Sequence, residues 1–134
     1  MQDPERSSPS PTKKIAIVIS STASKPYPNL RDLVAGDVVV LTRGRCEPEQ
    51  AILWQALRDD IRAFVYRSEG GRDNWQRDVD LVRDADEVIV VLSREALDRT
   101  DTGAWHVIER AIADEKPLRV FLQYKDRLHP LIES

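Results

Sequence analysis

The sequence has one cysteine and no long apolar run, and each of these scarcities excludes a class of protein. Cys46 cannot form an internal disulfide, and with only two histidines it supplies no zinc framework. We therefore expect a reducing, cytoplasmic compartment and no metal or other cofactor. No apolar run approaches the roughly 20 residues that span a bilayer, and no secretion signal is visible, so we expect a soluble protein with no membrane partner.

Neither sign of charge predominates. The chain has 20 Lys and Arg residues against 23 Asp and Glu residues, a formal net charge of −3. A broad cationic surface for a phosphate backbone is therefore missing, and we expect no non-specific nucleic-acid binding. With 134 residues, 41% of them hydrophobic, the chain is long enough for one domain with a core.

The composition changes near residue 14. Residues 1–13 hold three prolines, three serines and only one apolar residue, Met1, which predicts a disordered N-terminal tail. Residues 14–134 are predicted to form the single domain.

Strand-like and helix-like segments alternate along that domain. Apolar runs at 15–19, 38–41, 63–66, 88–92 and 118–122 are typical of buried strands. Helical spacing covers 48–59, 74–84 and 103–115, and a short helix at 30–35 would begin after a cap at Asn29. The alternation predicts an α/β fold of three layers around a mainly parallel five-stranded sheet. The residues predicted to face the sheet are Ile52, Leu53, Ala56, Leu57, Trp75, Val79, Val82, Ala104, Val107, Ile108, Ala111 and Ile112.

The loops that follow the strands are the candidate site, because open parallel sheets bind ligands beyond the carboxyl ends of their strands. The second of these loops contains Arg43-Gly44-Arg45 directly before a helix, where guanidinium and backbone N–H groups could hold a phosphate. An ordinary capped connection is the alternative, since Glu47 and Glu49 already complement the helix dipole.

Two later loops add further candidates. Residues 67–75, with Arg72 beside two glycines, could close over a nucleotide, or could be a solvated turn. At 102–109, N–H groups at Gly103 and Ala104 form a possible anion cradle, and Trp105 or Trp75 could stack on a base. The alternative is that Trp105 lies at the border of the core and that the side chains of His106 and Glu109 are simply exposed to solvent. The candidate ligand-binding residues are Ser20, Ser21, Arg43, Gly44, Arg45, Arg72, Ser93, Thr102, Gly103, Ala104, Trp105 and His106, and Glu109 is the candidate catalytic residue.

Four stretches of the chain together resemble one known family: Ser20-Ser21-Thr22, residues 38–57, residues 78–91, and residues 102–111 followed by Lys116-Pro117. The family that they resemble is the SLOG superfamily, Rossmann-like domains related to the LOG phosphoribohydrolases and to the DNA-processing protein DprA. The likeness is greatest to small stand-alone bacterial and phage members. It implies a Rossmann-like fold and a sensor-type domain that binds a nucleotide or nucleotide-derived ligand. The Pro-Gly-Gly-x-Gly-Thr-x-x-Glu motif of the phosphoribohydrolases is missing, which leaves hydrolysis optional.

A second resemblance implies an enzyme. Leu92-Ser93 and the Trp105 to Glu109 spacing are similar to the strand end and the Trp-x-x-x-Glu signature of TIR domains. The alternative function is therefore a TIR-like or LOG-like N-glycosidase that cleaves NAD or a nucleoside monophosphate with Glu109. A protein-interaction module without a small ligand is a further alternative, and a symmetric homodimer is common for such domains.

Overall fold

The computed structural model describes residues 12–69 and 72–133. The predicted tail therefore lies almost wholly outside the described residues, and the first strand begins one residue before the predicted domain start. The elements in chain order are β1 (Lys13–Ile19), α1 (Leu30–Leu33), β2 (Val38–Thr42), α2 (Glu47–Arg58), β3 (Ala63–Val65), α3 (Arg72–Asp84), β4 (Glu87–Ser93), α4 (Arg94–Leu97), α5 (Gly103–Ala113), β5 (Leu118–Tyr124) and β6 (Arg127–Glu133).

The strands form one sheet in the order β3-β2-β1-β4-β5-β6. The first five strands in chain order are parallel, which confirms the α/β fold and the mainly parallel sheet. The predicted number of five strands is wrong, because β6 pairs antiparallel with β5 at the far edge. Only Lys125 and Asp126 separate the two strands, and the side chains of β6 are mostly exposed, so its sequence lacks the apolar run that marks the other strands.

Helices cover both faces of the sheet and create two apolar cores. One core lies under α1 and α2, and the other lies under α3, α4 and α5. The predicted helices are confirmed, and Asn29 caps the short first one by accepting a hydrogen bond from Arg31 N. Leu57 and Ile112, predicted to face the sheet, are instead 70% and 60% exposed. Each lies on the flank of its helix, and the predicted apolar stripes were too wide by one position.

The third strand is a sheet edge rather than a strand buried on both faces. It has three residues and pairs only with β2, so Phe64 and Val65 remain exposed. The partly exposed Trp75, which begins the apolar spacing of α3, also lies outside the core. Because β3 has only three residues, the side chains near this edge have little sheet surface to pack against.

The strand order creates a switch point between β1 and β4. The chain proceeds from β1 outward to β2 and β3, then returns to β4 on the other side and continues to β5. Connections therefore diverge above the carboxyl ends of β1 and β4, and such a divergence opens a crevice in α/β sheets. Ser20 follows β1 at this point, and Ser93 ends β4.

Within residues 12–69 and 72–133, no helix is long and apolar enough to cross a membrane. The same residues contain no group of three or more His, Cys, Asp and Glu side chains that could hold a metal ion.

A tyrosine beside the third strand gives a first prediction about stability. The Tyr66 hydroxyl donates to Asp84 Oδ2 at 2.6 Å, and burial followed by this bond raises the pKa of Tyr66 to about 12. This folded-state pKa lies above the usual value of about 10. The contribution of the Tyr66 hydroxyl to the free energy of unfolding is therefore complete below pH 10 and is lost as the pH rises towards 12. We expect Tyr66→Phe to lower the free energy of unfolding by about 1 kcal/mol at pH 7.

Urea unfolding between pH 7 and 11.5 checks this expectation. The difference between the wild type and Tyr66→Phe should shrink above pH 10. Tyr124→Phe is the matched control, because that tyrosine is exposed and its ring contacts with Arg94 and Lys125 survive the change. Equal and pH-independent losses in the two variants would contradict the assignment.

Candidate functional site

A cavity of about 220 Å³ lies at the switch point, and we call it the first cavity. Residues from the ends of β1 and β2, from α4 and from the start of α5 surround it. They are Ser20, Ser21, Thr22, Arg43, Arg45, Glu95, Ala96, Arg99, Thr102, Gly103 and Ala104. Within the described part of the chain, the cavity thus combines three arginines with hydroxyl groups and a single carboxylate, that of Glu95.

Three hydroxyl groups form a hydrogen-bonded cluster beside the first cavity. Ser20 Oγ donates to Ser93 Oγ at 3.1 Å, and Thr22 Oγ1 is hydrogen-bonded to Ser93 Oγ at 2.5 Å. Ser93 Oγ also accepts from Ala96 N at 3.1 Å, so it caps α4. The cluster joins the ends of β1 and β4 and fixes the loop that carries Ser21 and Thr22.

Arg43 is the most constrained cation of the site. It follows β2, is 5% exposed, and donates through Nε and Nη2 to Glu49 Oε2 at 3.0 and 2.7 Å. Glu49 on α2 is 0% exposed, and its Oε2 also accepts from Ile19 N at 3.0 Å. The carboxylate therefore joins the ends of β1 and β2 and holds the guanidinium in one orientation.

The remaining nitrogen of Arg43 points towards the start of α5. A Cβ atom at Gly103 would lie 3.0 Å from Arg43 Nη1, tighter than nine in ten real Cβ contacts. Glycine at this position therefore lets the guanidinium approach the helix. Thr102, the residue before α5, forms no side-chain cap, because its hydroxyl donates to Arg99 O at 3.0 Å. The first N–H groups of α5 thus remain available to an anion.

Arg45 and Arg99 complete the positive side of the first cavity. Both are exposed, and neither forms an ion pair within the described residues. Cys46, beside them, is half-buried, and its thiol donates to Ile19 O at 3.4 Å. Burial raises the pKa of Cys46, which favours the inert thiol over a nucleophilic thiolate.

A wider cavity of about 620 Å³, the second cavity, adjoins the first along Arg43 and Arg45. It extends towards the edge strand β3 and the start of α3. Its lining comprises Arg43, Gly44, Arg45, Gln50, Leu53, Val65, Arg67, Ser68, Asn74 and Arg77. Gly44 has a positive φ of 61°, and a side chain there would contact Leu53 and Val65 at 3.2 and 3.3 Å.

The structure brings most of the predicted site residues together. The first cavity is lined by six of the predicted binding residues besides Arg43, namely Ser20, Ser21, Arg45, Thr102, Gly103 and Ala104. Gly44 lines the second cavity, and Ser93 lies beside the first one as part of the hydroxyl cluster. The side chain of Arg72 is outside the described part of the chain.

Trp105, His106 and Glu109 line neither cavity. The Trp105 indole packs against the core and donates through Nε1 to Ala96 O at 2.8 Å. His106 faces α3, with Nδ1 3.4 Å from Asp78 Oδ2 and its ring stacked on Trp75 at 5.9 Å. Glu109 lies on the exposed face of α5. The geometry thus favours the core alternative for Trp105 and the solvated alternative for Glu109, whereas His106 packs between α5 and α3, which neither alternative included.

Several residues of the site have no clear signal in the sequence. Thr22 comes from the loop after β1, Arg99 from the loop between α4 and α5, and Arg77 from a face of α3. Glu49 was predicted to complement the dipole of its helix, whereas its carboxylate pairs with Arg43 and orients it. The Ser93 cap and the three residues after it are the one local pattern that could have indicated α4.

No protein-family model, curated protein or solved structure matches this chain.

Proposed function

We propose that this protein binds a small phosphorylated ligand of the nucleotide class in the first cavity, as a sensor-type domain. The observation that carries the proposal is the buried Arg43, held by Glu49 so that its third nitrogen faces the uncapped start of α5. An oriented guanidinium and free helix N–H groups together suit a tetrahedral anion. Their position at the switch point of the sheet is where α/β domains bind such ligands.

The surrounding groups support a phosphate with a sugar attached. Ser21 and Thr22 offer hydroxyl groups at the rim, and Glu95 offers a carboxylate that can accept from a ribose hydroxyl. The cavity volume of about 220 Å³ holds a phosphoribosyl-sized group and leaves a base to extend outward. The resemblance to SLOG domains points to the same ligand class.

Binding without bond cleavage is the part of the proposal that separates it from the N-glycosidase alternative. Glu109, the carboxylate that cleavage would need, lies outside both cavities. A general acid or base must come within hydrogen-bond reach of the reacting atoms. We therefore assign no catalytic residue.

Isothermal titration calorimetry with AMP, NAD and ADP-ribose tests the proposal, with chromatography of each mixture to detect released base. We expect saturable binding of at least one of these ligands and no new product. Arg99→Ala should weaken binding about tenfold, because a hydrogen bond to a charged group is worth about 1.5 kcal/mol or more.

The matched control is Arg62→Ala. This arginine is also exposed but precedes β3 at the opposite end of the sheet, so the affinity should not change. Equal effects of the two substitutions, or no binding by the wild type at millimolar ligand, would overturn the proposed function. Released nicotinamide or base that disappears in Glu109→Gln would establish the enzyme alternative instead.

A further inference from the structure

The second cavity has the charge of an anion site on a chain whose net charge is negative. Among the described residues, four arginines line it, namely Arg43, Arg45, Arg67 and Arg77, and no carboxylate does. The whole chain has a formal net charge of −3. The described lining of this cavity therefore differs in sign from the molecule as a whole, and such a concave surface concentrates anions. Glu69, Asp73 and Asp80 lie in the adjoining cavity that Arg67 and Arg77 also line, so the excess of positive charge is confined to the second cavity.

Arg77 lines the second cavity as a buried arginine paired with a buried carboxylate, as Arg43 does in the first cavity. It is 6% exposed, and its Nε and Nη2 lie 3.1 and 3.0 Å from Oδ1 of the buried Asp78. Nη1 donates to Ser68 Oγ at 3.2 Å and to Asn74 Oδ1 at 3.4 Å. Nη2 is buried and makes no hydrogen bond of good geometry. Each buried arginine is thus fixed by a buried carboxylate behind it.

The exposed arginines supply the uncompensated charge. Arg45 and Arg67 have no ion-pair partner among residues 12–69 and 72–133, whereas Arg43 and Arg77 are neutralised. Leu53 and Val65 add an apolar wall beside them, and Gln50 adds an amide. The cavity therefore suits an anionic group attached to an apolar or planar part of a ligand.

We propose that the second cavity binds a second anionic group of the ligand that occupies the first cavity. This inference rests on the proposed function, and it narrows the ligand class to nucleotides that carry two anionic groups. Arg43 and Arg45 line both cavities, so they lie between the two groups. Arg99 serves only the first group, and Arg67 serves only the second.

Titration calorimetry with four probes tests this inference: AMP, ADP, adenosine 2′,5′-bisphosphate and adenosine 3′,5′-bisphosphate. The wild type should bind at least one of the three doubly anionic probes about tenfold or more tightly than AMP. Arg67→Ala should abolish that gain and leave the AMP affinity within about twofold of wild type. Arg99→Ala should weaken AMP and the preferred probe alike.

The outcomes separate the two proposals. Binding of AMP with no gain from any second anionic group, or an unchanged gain in Arg67→Ala, overturns the second anion site and leaves the proposed function intact. No binding of any of the four probes by the wild type overturns the second anion site, and no binding of NAD or ADP-ribose as well overturns both proposals. The wild-type preference is measured without any substitution, so the inference remains falsifiable even if Arg67→Ala folds poorly.

Discussion

Replacing Glu49 with alanine is expected to lower the free energy of unfolding by about 3–5 kcal/mol, the cost of leaving a buried charge without its partner. Glu49 and Arg43 are both buried and form a two-bond ion pair at 3.0 and 2.7 Å. The substitution also removes the acceptor of Ile19 N, so the ends of β1 and β2 lose a common anchor. Urea unfolding followed by circular dichroism measures the loss.

Two comparisons test whether the unpaired buried charge of Arg43 causes the loss of stability in Glu49→Ala. Glu47 lies two residues before Glu49 in the same helix turn but is exposed. We therefore expect Glu47→Ala to lower the free energy of unfolding by less than about 1 kcal/mol. The double variant Arg43→Met with Glu49→Leu removes both charges and should be more stable than Glu49→Ala alone. A double variant as unstable as the single one would show that packing, rather than charge, dominates at this position.

Asp78→Ala is the second substitution with a large expected effect, again about 3–5 kcal/mol of unfolding free energy. Asp78 is buried on α3, where it accepts from Arg77 and faces His106 on α5. Without the carboxylate, the buried guanidinium of Arg77 has no compensating charge, and α3 loses its polar contact with α5. Chemical unfolding monitored by tryptophan fluorescence follows both effects, because Trp75 stacks on His106.

The neighbouring acid provides the control. Asp80 is on the same helix and forms a surface ion pair with Arg83 at 3.1 Å. Exposed pairs of this kind contribute about 0–1 kcal/mol, so Asp80→Ala should be nearly neutral. Similar losses for the two aspartates would mean that Asp78 and Arg77 do not form the buried pair described above.

The sequence was sufficient to predict the central strands and most of the helices. Runs such as Ile15 to Ile19 are buried on both faces of the sheet, so nearly every residue in them is apolar. An edge strand is under no such constraint. The sixth strand is exposed and has no apolar run, so its sequence does not mark it as a strand. The apolar run at 63–66 does predict the third strand, but Phe64 and Val65 are in contact with water, and the edge position of that strand is not evident from the sequence.

The candidate site was only partly predictable for a different reason. Loops that follow parallel strands meet at one edge, and this rule alone brings Ser20, Arg43 and Gly103 together. It does not tell which way a side chain turns. Trp105 and Glu109 share a helix with Gly103, but the indole donates to a carbonyl at the core and the carboxylate faces solvent. Partners distant in sequence, such as Glu49 for Ile19 N, leave no local pattern.

Chemical-shift mapping with ¹⁵N-labelled protein and AMP tests the ligand site most directly. The proposed binding in the first cavity predicts saturable shifts of the backbone amides of Ser21, Arg45 and Gly103, which lie around that cavity. It also predicts unchanged amides at Gly36 and Arg62, at the opposite end of the sheet. Shifts that cluster at that opposite end would contradict the proposed nucleotide site at the carboxyl ends of the strands. A spectrum that stays unchanged at millimolar AMP and, in parallel titrations, at millimolar NAD and ADP-ribose would contradict it as well.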